Sequence, residues 1–415
     1  MEQIDTLVIG AGQGGIATSE HLGKLGIEHV VLERGRIAER WRSERWDSLV
    51  ANGPAWHDRF PNMAFPCDED AFAGKEIVTQ YFEDYARMIG APVRTGVAVE
   101  AVKPHSDRAG FQVETSQGKI DARSIVCATG PFQMPAIPPI VPDEAPVAQI
   151  HSTAYRNPDA LAEGAVLVIG GGSSGSQIAA ELHDAGREVY FSIGPHDRPP
   201  RRYRGRDNVW WLGVLGIWNM DTPAPGTEHV TIAVSGAHGG KTVDFRRLAE
   251  RGITLLGMSA GYEGGVLTFA NDLKANLDAG DANYLSLLEA ADTYVENNGL
   301  DLAPEPDAWV IPEDPECVIN PVRSLDLQAE GVSTVIWATG FRFDYSWLHA
   351  DALDDNGKPI HQRGVSKVPG LYLVGLPWQS RRGSSFIWGV WHDAKFVADQ
   401  IAIQNSYLAY HDGKV

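Results

Sequence analysis

The sequence predicts an α/β fold with two similar strand-turn-helix-strand units, of which the second is inserted into the domain that the first begins. Three observations support this prediction. An apolar strand runs into a glycine-rich turn at residues 7–15, and the same pattern returns 160 residues later, at residues 167–175. Two apolar strands that end in Ala-Thr-Gly follow the units, at residues 122–130 and 332–340. This repetition indicates two related domains.

The first unit contains a G-x-G-x-x-G turn formed by Gly10, Gly12 and Gly15. Gly10 permits the tight turn, Gly12 leaves room for a phosphate against the backbone, and Gly15 lets the following helix pack on the strand. The next strand begins at His29 and ends at Glu33, 18 residues after Gly15. A carboxylate at that position accepts hydrogen bonds from a ribose. The unit is therefore predicted to be a Rossmann-like dinucleotide-binding fold.

The second unit, VLVIGGGSSG at residues 166–175, fits two motifs. Counted from Gly171 it is G-x-S-x-G, the turn that exposes a nucleophilic serine, here Ser173, in α/β-hydrolases. Counted from Gly170 it is G-x-G-x-x-G, with Gly172 and Gly175, which holds a pyrophosphate at a helix N-terminus. A helical pattern and an apolar strand follow, as in the first unit. The duplication favours the dinucleotide motif, and the hydrolase stays the less favoured alternative.

The last residues of the two units predict different cofactors. Ser192 ends the strand of the second unit, where the first unit has Glu33. An acid there would repel a 2′-phosphate, whereas Ser192 is neutral. Four arginines follow it closely: Arg198, Arg201, Arg202 and Arg204. We therefore expect NADPH on the second unit and FAD on the first, with hydride transfer from nicotinamide to flavin.

The order of the motifs predicts the domain boundaries. The chain is expected to contain an FAD-binding domain at residues 1–155, an inserted NADPH-binding domain at 160–325, and a return to the FAD-binding domain at 326–415. The Pro-rich stretch at 131–146 and the stretch at 156–164 are predicted crossings between the domains. Apolar residues at helical spacing predict a helix through Tyr284 to Val295, which ends at Asn-Asn-Gly.

Composition narrows the class of function. The formal net charge of −19 disfavours nucleic acid and anionic lipid as partners. No stretch reaches the ~18 apolar residues of a membrane span, and the N-terminus lacks a signal-peptide pattern. We therefore expect a cytoplasmic enzyme without a nucleic-acid or membrane partner, and the sequence leaves open whether it is a homodimer.

The three cysteines form no Cys-x-x-Cys, so a redox cysteine pair is not expected. The histidines show no metal-ligand spacing, so a metal site is not expected either.

These motifs resemble those of the flavin-containing monooxygenases, specifically the short bacterial members that carry FAD and NADPH on one chain. The resemblance includes both glycine turns and VIWATGF at 335–341. It extends to WDSLVANGPAW at 46–56, IHSTAYRNP at 150–158 and the segment from VPGLYLVGLPW to FIWGVWHDA at 368–394. It therefore covers almost the whole chain.

The resemblance implies a mechanism. NADPH reduces FAD, O2 adds to flavin C4a, and the resulting hydroperoxide gives its distal oxygen to a small soft nucleophile. Asn52 occupies the place of an asparagine that lies by the flavin in that family and helps to stabilise the oxygen adduct; a loop residue that bonds its own backbone is the alternative. Tyr155 stands where Baeyer–Villiger relatives carry Trp, which favours a nitrogen or sulfur centre over a ketone.

The sequence also departs from the family. Of the fingerprint F-x-G-x-x-x-H-x-x-x-[Y/F], only His151 and Tyr155 are present. The glycine pair expected before Trp41 is absent, and Leu376 replaces an Asp that many two-nucleotide flavoproteins place near the ribityl chain. The residues expected to contact the two cofactors are Gly10, Gly12, Gly14, Gly15, Glu33, Arg34, Trp41, Thr129, Gly130, His151, Gly170, Gly172, Ser173, Ser174, Gly175, Ser192, Arg198, Arg201, Arg202, Thr339, Gly340, Gly375 and Leu376.

Two other functions fit the same cofactors. One is an NADPH-dependent reductase that passes electrons to a partner without oxygenation, and the other is a non-catalytic flavoprotein that serves as a redox sensor. The candidates for the wall of the flavin and substrate pocket, or for ordinary core packing, are Trp378, Phe386, Trp388 and Trp391. The candidates for an apolar entrance, or for the packing of a loop, are Trp210, Trp211 and Trp218.

Overall fold

The computed structural model describes residues 1–224 and 231–411. Its strands are β1 Glu2–Ile9, β2 His29–Glu33, β3 Val93–Thr95, β4 Val99–Pro104, β5 Phe111–Thr115, β6 Gly118–Cys127, β7 Met134–Pro135, β8 Ala148–His151, β9 Ala165–Ile169, β10 Val189–Ser192, β11 Arg202–Tyr203, β12 Arg206–Asp207, β13 Thr254–Leu256, β14 Ser259–Glu263, β15 Val266–Phe269, β16 Ser324–Asp326, β17 Val332–Trp337, β18 Phe341–Arg342, β19 His361–Gln362, β20 Val365–Ser366 and β21 Leu371–Leu373. Its helices are α1 Gln13–Lys24, α2 Glu39–Ser43, α3 Lys75–Met88, α4 Ser173–Asp184, α5 Asn208–Val214, α6 Ala237–Gly240, α7 Phe245–Glu250, α8 Leu273–Asn298, α9 Glu316–Ile319 and α10 Ile387–His411.

The first sheet has nine strands, with the order β19-β20-β21-β6-β1-β2-β3 and with β4 and β5 added beside β6. Strand β1 lies at its centre and pairs in parallel with β2 and β6, so that Val8 lies opposite Val31 and Val126. All three valines are fully buried. A central parallel strand is covered on both faces, which explains why the buried end of β1, Leu7 to Ile9, is apolar without a break.

The second sheet has the order β13-β10-β9-β17-β8, and all of its described pairs are parallel. The two predicted units are therefore confirmed: β1-α1-β2 stands in the first sheet and β9-α4-β10 in the second. Strands β8 and β17, which the sequence analysis assigned to the first domain, both pair within the second sheet. The second sheet thus begins before residue 160 and ends after residue 325.

Helix α10 packs against α1 and covers the first sheet. The rings of Trp391 and His21 lie 4.3 Å apart, and the indole of Trp391 donates a hydrogen bond to Glu20 at 2.7 Å. Helix α8 contains the predicted helical stretch and ends before Gly299, whose φ of +59° is typical of a helix C-terminus. In the described part of the chain, no helix combines the length and apolar character that a membrane crossing requires.

Candidate active site

A cavity of about 600 Å³ opens at the carboxyl ends of β1 and β2, where open α/β sheets bind their ligands. We call residues 160–325 the inserted half and the rest of the chain the first half. The first half contributes the first glycine turn and the loop around Asn52 to the cavity walls, and the inserted half contributes residues of α5 and α8. The sequence analysis named many of the lining residues: Gly10, Gly12, Gly14, Glu33, Arg34, Trp41, Asn52, Thr129, Gly130, Arg201 and Gly375.

Steric contacts explain the glycines of both turns. A Cβ on Gly10, which has a φ of +105°, would lie 2.7 Å from the main-chain oxygen of Ala128. A Cβ on Gly170, with a φ of +118°, would lie 2.4 Å from the main-chain oxygen of Ala338. The Ala-Thr-Gly segments therefore pack directly beside the two turns, in the same relationship each time. Neither turn accepts a side chain at its first glycine.

The first turn and Glu33 fit the adenosine diphosphate part of FAD. No described atom lies within 4 Å of the position that a Cβ on Gly12 would take, so the backbone there faces open space at the N-terminus of α1. The Glu33 carboxylate accepts hydrogen bonds from the backbone N–H groups of Ala11 and Gly35, both at 2.8 Å. Each carboxylate oxygen retains a lone pair for a ribose hydroxyl.

The position of Leu376 corrects one expectation. Its side chain is buried in the hydrophobic core with Leu373 and Cys127 and lies outside the described cavity lining, although the neighbouring Gly375 belongs to that lining. Gly15 also lies outside the lining, because it packs against Gly10 inside the turn. Leu376 therefore offers no side-chain contact to a cofactor.

Asn52 is held by residues of the inserted half. Its side-chain oxygen accepts a hydrogen bond from Nε2 of Gln177 at 2.9 Å, and its main-chain oxygen accepts one from Arg201 at 2.5 Å. The adjacent Gly53 N–H donates to Asp58 at 3.0 Å. The Asn52 side-chain oxygen thus bonds across the two halves, which differs from a turn residue that bonds its own loop.

The second glycine turn is covered by residues 231–234, which we name the covering segment. A Cβ on Gly172 would lie 3.3 Å from the methyl group of Thr231. The hydroxyl of Ser173 donates a hydrogen bond to the main-chain oxygen of Ile232 at 2.8 Å. Ile232 and Val234 also line the cavity, so the segment lies between the second turn and the first. The turn has the backbone shape for a pyrophosphate, and the covering segment stands in front of it.

The same hydrogen bond argues against the hydrolase alternative. A nucleophilic serine needs a neighbouring base that accepts its proton. The Ser173 hydroxyl instead donates to a backbone carbonyl, which cannot take a proton. Gly170 and Gly175 pack together as their counterparts in the first turn do, since a Cβ on Gly175 would lie 1.9 Å from the Gly170 oxygen.

The expected 2′-phosphate site requires a correction. Arg198 is buried between Asp281 at 2.8 Å and Asp244 at 3.5 Å. Arg201 is buried in an ion pair with Asp207. Both guanidinium groups are therefore already paired with carboxylates of the protein, although Arg201 also lines the cavity. Arg202 is exposed on β11 and stays a candidate.

Several other predicted cofactor residues have partners within the protein. The Ser192 hydroxyl donates to the main-chain oxygen of Gly257 at 2.8 Å. The ring of His151 lies against Gly340, with Nε2 3.0 Å from the Gly340 oxygen, and burial lowers the pKa of this histidine. Thr339 donates to the main-chain oxygen of Ala136 at 2.5 Å. Ser174 lies on the first turn of α4. None of these residues belongs to the described cavity lining.

Two of the seven named aromatic residues, Trp218 and Phe386, line the cavity. Trp210 and Trp211 pack beside α8, and Trp388 packs against Trp218.

The sequence analysis missed other residues that line the cavity. No motif marks them, because tertiary packing alone brings α5, α8 and the 382–387 stretch to the cavity. These residues are Asp197, Asn208, Leu212, Leu287 and Arg382. The sequence analysis also missed Gln177, which reaches Asn52 from α4.

Similarity to known proteins extends over almost the whole chain. The sequence profile of the pyridine nucleotide-disulphide oxidoreductases matches residues 7–203. A CzcO-like oxidoreductase of Geobacillus kaustophilus is 33% identical over 96% of this chain and 98% of its own. The indole-3-pyruvate monooxygenase YUCCA1 of Oryza sativa subsp. japonica is 26% identical over 96% of this chain and 91% of its own.

Solved structures share the fold. The flavin-containing monooxygenase of Stenotrophomonas maltophilia superposes with a TM-score of 0.67 at 21% identity, covering 97% of this chain and 99% of its own. The bacillithiol disulfide reductase of Bacillus cereus superposes with a TM-score of 0.63 at 17% identity, covering 97% and 100%. The chain therefore belongs to the CzcO-like oxidoreductases and is an oxidoreductase that uses FAD and NADPH.

Proposed function

We propose that the protein uses NADPH and O2 to oxygenate a small soft nucleophile at a nitrogen or sulfur centre, with a ketone as the less favoured substrate. The observation that supports this most is the position of Asn52, whose oriented carboxamide lines the same cavity as the first glycine turn and Glu33. FAD, when bound there, would supply the redox chemistry and the activation of O2. The residues of the chain bind, orient and enclose it.

Each part of the cavity has a proposed task. The backbone at Gly12 and the N-terminus of α1 hold the pyrophosphate, and Glu33 holds a ribose. Asn52 donates a hydrogen bond to developing negative charge on oxygen. A neutral amide suits this task because it stabilises the charge and lacks the acidity that would expel hydrogen peroxide. The enclosing walls exclude water, which strengthens such a bond.

The inserted half supplies an apolar wall that fits the body of a small substrate. Leu212, Trp218 and Leu287 line the cavity on this side, together with the charged pair Asp197 and Arg382. Apolar walls with a few polar groups are typical of small-molecule sites. The rice relative named above is called an indole-3-pyruvate monooxygenase, and a small organic substrate with an apolar body is proposed here too.

The test is to follow NADPH, O2, hydrogen peroxide and product with the FAD-loaded protein and a panel of sulfides, amines and ketones. We expect oxygen consumption that depends on NADPH and oxygenated product from a sulfide or amine. Rapid NADPH oxidation by an artificial acceptor, with neither oxygen uptake nor product from any substrate, would reject oxygenation.

That rejecting outcome would favour a reductase without oxygenation, a function that the fold shared with the bacillithiol disulfide reductase also accommodates. The cysteines argue against a disulfide reaction at this cavity. Burial raises the pKa of Cys127 to about 12, and it raises the pKa values of Cys67 and Cys317 as well. None of the three lines the described cavity, and a reactive cysteine needs a lowered pKa.

A further inference from the structure

We propose that Gln177 is a positioning residue that orients the carboxamide of Asn52, so that its N–H groups and not its oxygen serve the cavity. This inference rests on the proposed role of Asn52. Gln177 lies on the second turn of α4, in the inserted half, whereas Asn52 lies in a loop of the first half. The inserted half would thus determine which end of the Asn52 carboxamide faces the cavity.

The hydrogen bonds around Gln177 define that polarity. Its side chain is buried, with 8% exposed, and its Nε2 lies 3.4 Å from the main-chain oxygen of Val234 and 2.9 Å from Oδ1 of Asn52. A backbone carbonyl can only accept a hydrogen bond, so the amide end of Gln177 near Val234 is the nitrogen. The same nitrogen donates to Asn52, which must present its oxygen to Gln177. The N–H groups of the Asn52 carboxamide then face the cavity.

The rest of the Asn52 loop is fixed independently of Gln177. The buried guanidinium of Arg201 holds the Asn52 main-chain oxygen at 2.5 Å and is itself paired with Asp207. A Cβ on Gly236 would lie 2.2 Å from the main-chain oxygen of Ala51, which shows how closely the backbones pack. The main chain at Asn52 is therefore held whether or not Gln177 is present. Gln177 governs the rotation of the carboxamide.

Two substitutions separate orientation from packing. Gln177→Leu has a similar volume and removes the donor. Gln177→Glu keeps the shape and, when ionised, can only accept, so Asn52 should turn its N–H groups to residue 177 and its oxygen to the cavity. We expect both variants to keep FAD and to be reduced by NADPH as fast as the wild type. Both should release more hydrogen peroxide and form less product per NADPH than the wild type. The transient seen after mixing reduced protein with oxygen should be shortened by roughly five- to a hundredfold, as expected for loss of one hydrogen bond to charge.

The matched controls are Gln328→Leu and Gln328→Glu, at an exposed glutamine outside the cavity lining. Both should form as much product per NADPH as the wild type does. In an Asn52→Ala background, Gln177→Leu should add no further loss, because the group that it orients is gone. An additional loss of similar size in that background would overturn the inference.

A direct readout uses protein labelled with 15N in its asparagine side chains. The Asn52 amide signals are identified by their loss in Asn52→Ala. We expect Gln177→Leu and Gln177→Glu to shift these signals in the protein without FAD, and FAD addition to shift them in the wild type. Unchanged Asn52 signals in both Gln177 variants would refute the positioning role. A wild-type yield of product per NADPH in Asn52→Ala would instead refute the proposed role of Asn52 and leave this measurement of orientation valid.

Discussion

The hydroxyl of Ser173 donates a hydrogen bond to the main-chain oxygen of Ile232 at 2.8 Å and so ties the second glycine turn to the covering segment. The pyrophosphate of NADPH is proposed to bind that turn through backbone N–H groups, which requires the segment to move. Binding of NADPH would then proceed at the expense of this hydrogen bond.

Ser173→Ala should therefore keep activity and lower the KM for NADPH by about two- to tenfold, the equivalent of one net hydrogen bond. Ser286→Ala, on the exposed face of α8, is the control and should leave the KM unchanged. Steady-state kinetics measure both. An esterase activity in the wild type that disappears in Ser173→Ala would revive the hydrolase alternative.

Gly12→Ala should give a folded protein without FAD. A Cβ at this position meets no described atom within 4 Å, and φ is −83°, so the protein tolerates the methyl group. The same methyl group would occupy the space of the proposed pyrophosphate. Absorbance at visible wavelengths and circular dichroism measure cofactor and fold. Gly23→Ala, at an exposed position within α1, should stay yellow and gain about 0.5–1 kcal/mol in stability.

The two neighbouring arginines should behave differently. Arg201→Ala leaves Asp207, whose side chain is only 10% exposed, without its partner and should lower the free energy of unfolding by about 3 kcal/mol. Arg202→Ala should leave stability within about 0.5 kcal/mol, because the side chain is exposed. If Arg202 binds the 2′-phosphate, its loss should raise the KM for NADPH by about tenfold or more and spare that for NADH. Equal effects on the two nucleotides would remove Arg202 from the site.

Asn52→Ala should retain FAD and be reduced by NADPH at the wild-type rate, because reduction precedes the proposed step. Oxygen should then leave as hydrogen peroxide instead of entering product. Stopped-flow absorbance after mixing reduced protein with oxygen should show a transient shortened by about five- to a hundredfold, for a lost bond of ~1–3 kcal/mol. A transient as long as that of the wild type would make Asn52 an ordinary loop residue.

Stability should fall in mild acid because of His21. Burial against α10 lowers the pKa of this histidine to about 4, whereas an unfolded chain has the ordinary value near 6.5. Below pH 6.5 the unfolded state gains a proton that the folded state does not bind, so stability decreases until pH reaches about 4. At pH 5 the cost is about 2 kcal/mol. The free energy of unfolding, measured with denaturant between pH 7 and 5, should depend less on pH in His21→Gln than in the wild type. In the exposed control His349→Gln its dependence on pH should be unchanged.

Local sterics made part of this molecule predictable. The roles of Gly10 and Gly170 follow from the turn itself, so their spacing in the sequence was enough to place both units. The partners of Arg198 were not predictable, because Asp281 lies 83 residues further along the chain and only tertiary packing brings it close. The covering segment has no periodic pattern, and nothing near Gln177 in the sequence points to Asn52.

The shared walls of the cavity bear on how far this protein is modular. Excision of the inserted half would leave Glu33 and the first glycine turn intact, and with them a cradle for the adenosine end of a flavin. It would also remove Gln177, Arg201 and the apolar wall at Leu212 and Leu287. The trimmed protein would be expected to bind a flavin without controlling how that flavin reacts with oxygen, so a redesign of either half has to take the other into account.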